Sequence, residues 1–143
     1  MADVHSKEVR SYNMSQIKGR DTKPELLVRK FLFANGLRYR LYDKKLSGKP
    51  DIILPRFRTV IFVNGCFWHG HQNCKYFILP KTRTEWWKQK IKDTQNRDKA
   101  AVSELNSSGW NTIIIWECEL KKDKRASTLS YILKLIKEEE QTK

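Results

Sequence analysis

The feature that most constrains the fold of this chain is a run of soft metal ligands, CFWHGHQNC, from Cys66 to Cys74. With the distant Cys118 it supplies three thiols, and three cysteines with one histidine make a closed tetrahedral zinc site. His71 is the preferred imidazole because it lies between Cys66 and Cys74 and only two residues separate it from Cys74. This choice leaves His69 outside the set of ligands. An odd number of cysteines disfavours a disulfide framework. The alternative is three unrelated buried thiols.

Charge is the second constraint. Lysine and arginine number 29 against 16 acidic residues, a net charge of +13, and nearly all of the excess precedes Gly109. A positive field of this size implies a polyanionic partner, nucleic acid first, although lysine can also serve solubility alone. The 143 residues suffice for one domain. They contain no apolar run of roughly 20 residues and no secretory signal, so we expect a cytoplasmic protein without a membrane partner.

Local patterns predict an α/β order of elements. A first helix is predicted by a capping residue and a proline at its start and by Asn-Gly at its end. A long amphipathic stretch predicts a second helix, and an amphipathic stretch that begins with a capping serine predicts a third. These helices cover residues 21–34, residues 84–106 and the stretch from Ser127 onward. Alternation or β-branched runs predict four strands at 37–42, 51–54, 59–63 and 110–116, the middle two forming a hairpin and the last one buried. The order gives a sandwich with a mixed β-sheet flanked by helices.

Two further groups of residues suggest chemistry. Asp51 opens a predicted strand near the ligand run, and hard oxygen ligands at a sheet edge suit magnesium and phosphodiester cleavage, with Glu25 as a partner. Phe67 and Trp68 lie in the ligand run itself, with Trp86 and Trp87 at the start of the predicted long helix. Aromatic side chains on a rigid basic loop can wedge between base pairs. The alternative for Asp51 is an ordinary Pro-Asp turn, and the alternative for the aromatic residues is a place in the hydrophobic core. We assign Trp110 and Trp116 to the core.

Taken in order, several motifs resemble the very short patch repair endonucleases, the bacterial Vsr family. The resemblance covers nearly the whole chain, and its most specific part is GCFWHGH. The motifs are Asp21-Thr22 with Glu25, Gly48-Lys49-Pro50-Asp51, Val60-Ile61-Phe62, Gly65 to His71, Thr82 to Trp87, Arg97-Asp98, Gly109-Trp110 and Trp116-Glu117-Cys118.

The resemblance implies a restriction-endonuclease-like fold and an enzyme that nicks one DNA strand 5′ to the thymine of a T:G mismatch, the product of 5-methylcytosine deamination. It implies that Asp51 and the Val63 carbonyl bind Mg²⁺, that Glu25 holds water at the metal, and that His69, oriented by Asp98, assists the attack. The implied ligands of a structural Zn²⁺ are Cys66, His71, Cys74 and Cys118. The implied DNA contacts are Phe67, Trp68, Trp87, Lys90 and Met14, the last in an arm formed by residues 1–20 ahead of one endonuclease domain, 21–143.

One position departs from the family. Asn64 stands where the family often has a histidine beside the metal, and an asparagine cannot carry a proton. The alternatives are therefore a zinc-stabilised module that binds mismatches without cutting, or a restriction-type nuclease of the same fold. For the enzyme we expect a monomer at the bacterial nucleoid, working with mismatch-repair proteins and a DNA polymerase that extends the nick.

Overall fold

The computed structural model describes residues 22–141, with side chains as far as residue 138. The expected arm 1–20, with Met14, and the cap residue Asp21 lie outside the described residues. The elements are α1 (Lys23–Ala34), β1 (Ile52–Leu54), β2 (Thr59–Asn64), α2 (Thr84–Ser107), β3 (Asn111–Trp116) and α3 (Arg125–Gln141), with short 3₁₀ turns at Pro55–Phe57 and Glu117–Leu120. Among these residues, no helix is long and apolar enough to cross a membrane.

The described strands form one sheet in the order β1-β2-β3. β1 and β2 are antiparallel and form the predicted hairpin, in which Pro55–Phe57 makes the turn and Arg58 takes a left-handed conformation at φ 52°. β2 and β3 are parallel, in a register that ends with Asn64 opposite Trp116. The predicted mixed sheet is therefore confirmed, and the carboxyl ends of β2 and β3 meet at one edge.

Helices cover both faces of this sheet, because successive strand residues point to opposite sides. On one face, α1 and α3 pack on alternate strand residues in the main core cluster, which includes Val28, Leu32, Ile52, Leu54, Ile61, Ile115, Ile132 and Ile136. On the other face, Leu105 of α2 packs with Ile53 and Val60. The result is the predicted sandwich.

Three predictions about secondary structure were wrong in part. Residues 37–42 do not form a strand but a single bridge between Arg40 and Ile53, because β1 has only three residues to pair with and Tyr42 turns the chain at φ 61°. The alternation in this segment does reflect which side chains are buried, because Leu37 is buried in the core cluster and Tyr39 packs against it.

The other two corrections concern β3 and α3. β3 was expected to be buried, but Ile115 is its one buried residue and Ile114 is 40% exposed. The reason is its place at the end of the described strand order, where it has a neighbour on one side. Helix α3 begins at Arg125, two residues before the expected cap Ser127. Trp110 and Trp116, assigned to the core, are half-buried.

Candidate active site

Asp51 is held against the end of β2 by two backbone contacts. Its N–H donates to the Ile61 carbonyl (3.0 Å), which continues the pairing of β1 with β2 by one residue. Its carboxylate oxygen Oδ2 accepts a hydrogen bond from the Val63 N–H at 2.6 Å. These contacts fix the position of the carboxylate before any ligand arrives, which is the arrangement that a metal-binding side chain requires.

A second carboxylate, Glu25, faces this position from the first turn of α1. It is 3% exposed, and Arg29, one turn later, donates from Nη2 to its Oε2 at 3.3 Å. Burial raises the pKa of Asp51 from 3.8 to about 7; the Val63 N–H acts to lower it, and the Glu25 carboxylate raises it further. A carboxylate that loses its charge because of burial and a like-charged neighbour regains it when a cation binds, so this pair favours a divalent ion.

His69 and Asp98 form a hydrogen-bonded pair beside the carboxylates. His69 lies in the loop after β2, Asp98 lies on α2, and Nδ1 and Oδ2 are 2.6 Å apart. Because a carboxylate accepts, Nδ1 carries the proton in this bond and Nε2 is the ring atom left to exchange a proton with a ligand. Both side chains are partly exposed.

All five predicted catalytic residues line one open cleft of about 660 Å³. They are Glu25, Asp51, Asn64, His69 and Asp98, and Asn64, 6% exposed, is the last residue of β2. The cleft also includes Lys49 and Glu117, which the sequence analysis did not assign to the site. Lys49 precedes the Pro50-Asp51 motif directly. Glu117 follows β3 and reaches the position beside Gly65, which only the parallel pairing of β2 and β3 reveals.

The structure brings the four expected thiol and imidazole ligands together. The ligand atoms of Cys66, His71, Cys74 and Cys118 all lie within 4.8 Å of one another, and this set is called the Cys/His cluster below. The His71 N–H donates to the Cys66 carbonyl (2.9 Å), and the His71 ring stacks on Trp116 with 4.1 Å between centroids. Burial raises the pKa of the Cys66 thiol to about 12. A thiol in that state becomes a thiolate when a cation joins it, so the cluster could hold a metal ion.

Three aromatic rings form a surface between the cleft and the Cys/His cluster. Phe67 lies 5.3 Å from Trp68 and 5.4 Å from Trp87, measured between ring centroids, and Trp68 also lines the cleft and is 38% exposed. The residue before Trp87, Trp86, is 45% exposed, and the charged ends of Arg83 and Lys90 lie 4.9 Å and 5.5 Å from the centroid of its ring. Lys90, an expected DNA contact, thus lies beside Trp86, one of the two tryptophans expected at the start of this helix.

Paired carboxylates and a histidine–aspartate pair in an open cleft, on a strongly basic chain, define a nuclease. Comparison with known proteins is more specific: the family model described as DNA mismatch endonuclease Vsr matches residues 2–75. The chain is 47% identical over 121 residues to the Type II nicking enzyme V.NmeAIP of Neisseria meningitidis, covering 85% of this chain and 86% of that protein.

Two further relatives agree. The chain is 46% identical to the DNA mismatch endonuclease Vsr of Escherichia coli over 85% of this chain and 77% of that protein. It is 44% identical to the Type II nicking enzyme V.XorIIP of Xanthomonas oryzae over 84% of this chain and 88% of that protein. The chain belongs to the Vsr family of DNA mismatch endonucleases, with their restriction-endonuclease-like fold. It is an endonuclease, and its substrate is DNA.

Proposed function

We propose that this enzyme nicks one strand of duplex DNA on the 5′ side of the thymine in a T:G mismatch, with Mg²⁺ at Asp51. The observation that carries the proposal is the cleft itself, where an Asp51 carboxylate fixed at 2.6 Å by the Val63 N–H shares one opening with the His69–Asp98 pair. Cleavage of a phosphodiester is assisted by a cation and a proton acceptor within reach of one phosphate, and the carboxylates and His69 of this cleft are candidates for the two roles.

The donor set of the cleft fits magnesium. Asp51 and the Val63 carbonyl would hold the ion, and Glu25 would hold water at its side, because Mg²⁺ prefers a few carboxylate and carbonyl oxygens and keeps much of its water. When bound, Mg²⁺ supplies the positive charge that stabilises the transition-state phosphate. Arg29 keeps Glu25 in place through their 3.3 Å contact, so the second carboxylate faces the first.

His69 is the proposed proton acceptor. Asp98 holds its Nδ1, which sets the tautomer in which Nε2 takes a proton from the attacking water. Asn64 lies at the same end of β2 and can donate or accept a hydrogen bond to the reacting phosphate, but it does not titrate near neutral pH. The proton chemistry of the proposed reaction therefore rests on His69.

Phe67, Trp68 and Trp87 are the proposed wedge in the DNA stack. Their ring cluster adjoins the cleft through Trp68, which sets the site of unstacking beside the site of cleavage. A mismatched step costs less to unstack than a matched one, so a wedge of this kind favours the T:G pair. Lys90 would contact the strand next to the wedge, and the arm with Met14 would lie along the duplex.

Zn²⁺ is the proposed ion of the Cys/His cluster. Three thiolates and one imidazole from two distant parts of the chain are a complete tetrahedral set, which is typical of structural zinc. By binding, the ion would close the loop from Cys66 to Cys74 and tie it to Cys118 after β3. The site would therefore stabilise the fold rather than take part in cleavage.

The decisive experiment is a nicking assay on a duplex with a single T:G pair, each strand labelled separately, with and without Mg²⁺. We expect one Mg²⁺-dependent cut, 5′ to the mismatched thymine, and no cut in the matched duplex. Selective binding of the T:G duplex without cleavage would instead support the binding-module alternative, and cutting of the matched duplex would support a restriction-type target. In the cell, we propose a monomer at the nucleoid whose nick serves mismatch-repair proteins and a DNA polymerase.

A further inference from the structure

Besides the ring contacts of Phe67 and Trp68 with Trp87, two hydrogen bonds join the loop that carries His69 to α2. Asp98 on α2 holds the His69 ring at 2.6 Å, and Gln95, three residues earlier, donates from Nε2 to the carbonyl oxygen of Gly70 at 3.0 Å. Residues three apart lie on the same face of a helix. One face of α2 therefore contacts both the catalytic side chain and the backbone directly after it.

The second contact is a tight one. Gly70 is buried and has φ +62°, a conformation that favours glycine. A Cβ atom there would overlap the Gln95 amide and approach Ile91 within 2.7 Å. The backbone at Gly70 thus lies directly against α2, and the Gln95 amide is the polar group that it meets.

We propose that Gln95 is a positioning residue for His69. The Asp98 carboxylate fixes the direction of the ring, but the ring still moves with the backbone that carries it. The Gln95–Gly70 hydrogen bond fixes that backbone at the residue directly after His69, next to His71 of the Cys/His cluster. Because displacements of about 1 Å in a catalytic group can cost up to about a hundredfold in rate, we expect a loop that lacks this hydrogen bond to catalyse more slowly.

The test compares three variants of the full chain. Gln95→Met keeps the length of the side chain and removes the donor, and Gln95→Glu keeps its shape and replaces the donor with an acceptor. Gln89→Met is the matched control, because Gln89 lies on the same helix and donates to Asp93 at 2.8 Å on the exposed side. For each variant we would measure the single-turnover nicking rate, the affinity for the T:G duplex, the metal content and the hydrogen exchange of the amides in residues 67–73.

We expect Gln95→Met to nick about tenfold more slowly, Gln95→Glu to be slower still, and Gln89→Met to match the wild type. Duplex affinity and metal content should stay unchanged, and the amides of His69 and Gly70, which donate to Gly65 and Phe67, should exchange faster in both Gln95 variants. A loss of rate without a loss of affinity or metal separates positioning from a general structural role.

Two results would overturn the inference. Wild-type rate and exchange in Gln95→Met would show that the other contacts hold the loop, and wild-type rate in Gln95→Glu would show that no donor is needed. The inference rests on the proposed role of His69, and a failure of that proposal would give a different experimental result. If His69→Ala nicks at the wild-type rate, positioning of His69 has no catalytic meaning and the inference falls with it, even where the Gln95 variants speed exchange.

Discussion

The Cys/His cluster and the carboxylate cleft both bring together, from separate elements, side chains that could bind a metal, but they differ in the type of ligand atom and in solvent access. The cluster packs three sulfurs and one imidazole within 4.8 Å, and Cys66 is 2% exposed. The cleft presents oxygen ligands around an opening of about 660 Å³. A complete soft set leaves no position for a substrate, whereas an incomplete hard set does. The contrast supports the proposal that the first region stabilises the fold and the second carries out the chemistry, and the predictions below test these two regions and the aromatic rings that adjoin the cleft.

The largest effect should come from a change in the Cys/His cluster. Cys118→Ser removes the ligand that joins the end of β3 to the Cys66–Cys74 loop, so we expect loss of the metal and of the cooperative fold, because binding energy at such a site is folding energy. Elemental analysis and thermal unfolding would measure this, with Asp51→Asn as the variant that keeps its zinc. A folded, active wild type without zinc would contradict the prediction.

In the carboxylate cleft, Asp51→Ala should abolish nicking while the protein still folds and binds DNA. Loss of the cation at the reacting phosphate removes several kcal/mol of transition-state stabilisation, so we expect at least about a thousandfold loss in rate. Affinity depends on dispersed lysines and arginines and should change little. Single-turnover rates and binding to the T:G duplex measure both. A variant that nicks within about tenfold of the wild type would remove Asp51 from the metal site.

His69→Ala should cost at least about a hundredfold in nicking rate, the usual lower scale for a lost acid–base group. The companion variant Asn64→His should stay active and change the pH profile, because it adds an imidazole that titrates near neutral pH where the wild type has an amide. Rates from pH 5.5 to 9 for the wild type and both variants decide this. An unchanged profile in Asn64→His would show that the residue does not contact the reacting groups.

Trp68→Ala tests the surface between the two regions. It should weaken binding to the T:G duplex by about 1–3 kcal/mol, the scale for one lost stacking contact, and weaken binding to matched duplex less, because the charges remain. Paired titrations at one salt concentration measure the difference. Tyr131→Ala, an exposed aromatic residue on α3, is the control. Equal weakening on both duplexes would show that Trp68 does not discriminate between the mismatched and the matched pair.

The smallest effect is a pH dependence of stability. The raised pKa of Asp51 means that, without added Mg²⁺, the folded chain holds a proton between pH 4 and about 7 that the unfolded chain releases. The free energy of unfolding should therefore fall as pH rises through this window, and Asp51→Asn should lack that part of the fall. Denaturant unfolding at several pH values measures it, without a chelator because a chelator would also empty the cluster. Parallel curves would contradict the raised pKa.

Local signals predicted much of this molecule. Pro24 and Asn35-Gly36 fixed the ends of α1 within about two residues, and the bracketed spacing selected His71 over His69 for the cluster, as the geometry has it. Non-local contacts were predicted where the residue types themselves indicate a shared site, as for Cys118 and the Cys66–Cys74 loop, but not elsewhere. The alternation at 37–42 records burial and says nothing about whether a partner strand is long enough, and the parallel register that brings Glu117 beside Gly65 has no local signal.

The loop between Cys66 and His71 carries Phe67, Trp68 and His69 in consecutive positions. Ordering the backbone of a free loop costs about 1–2 kcal/mol per residue. Here that ordering belongs to the folding of the protein and not to the encounter with DNA, since both ends of the loop enter a closed cluster. The loop would then be rigid, and the duplex would be the partner that deforms on binding. Selectivity would follow from how easily each base step deforms, so the enzyme would measure the mechanical weakness of a mispair.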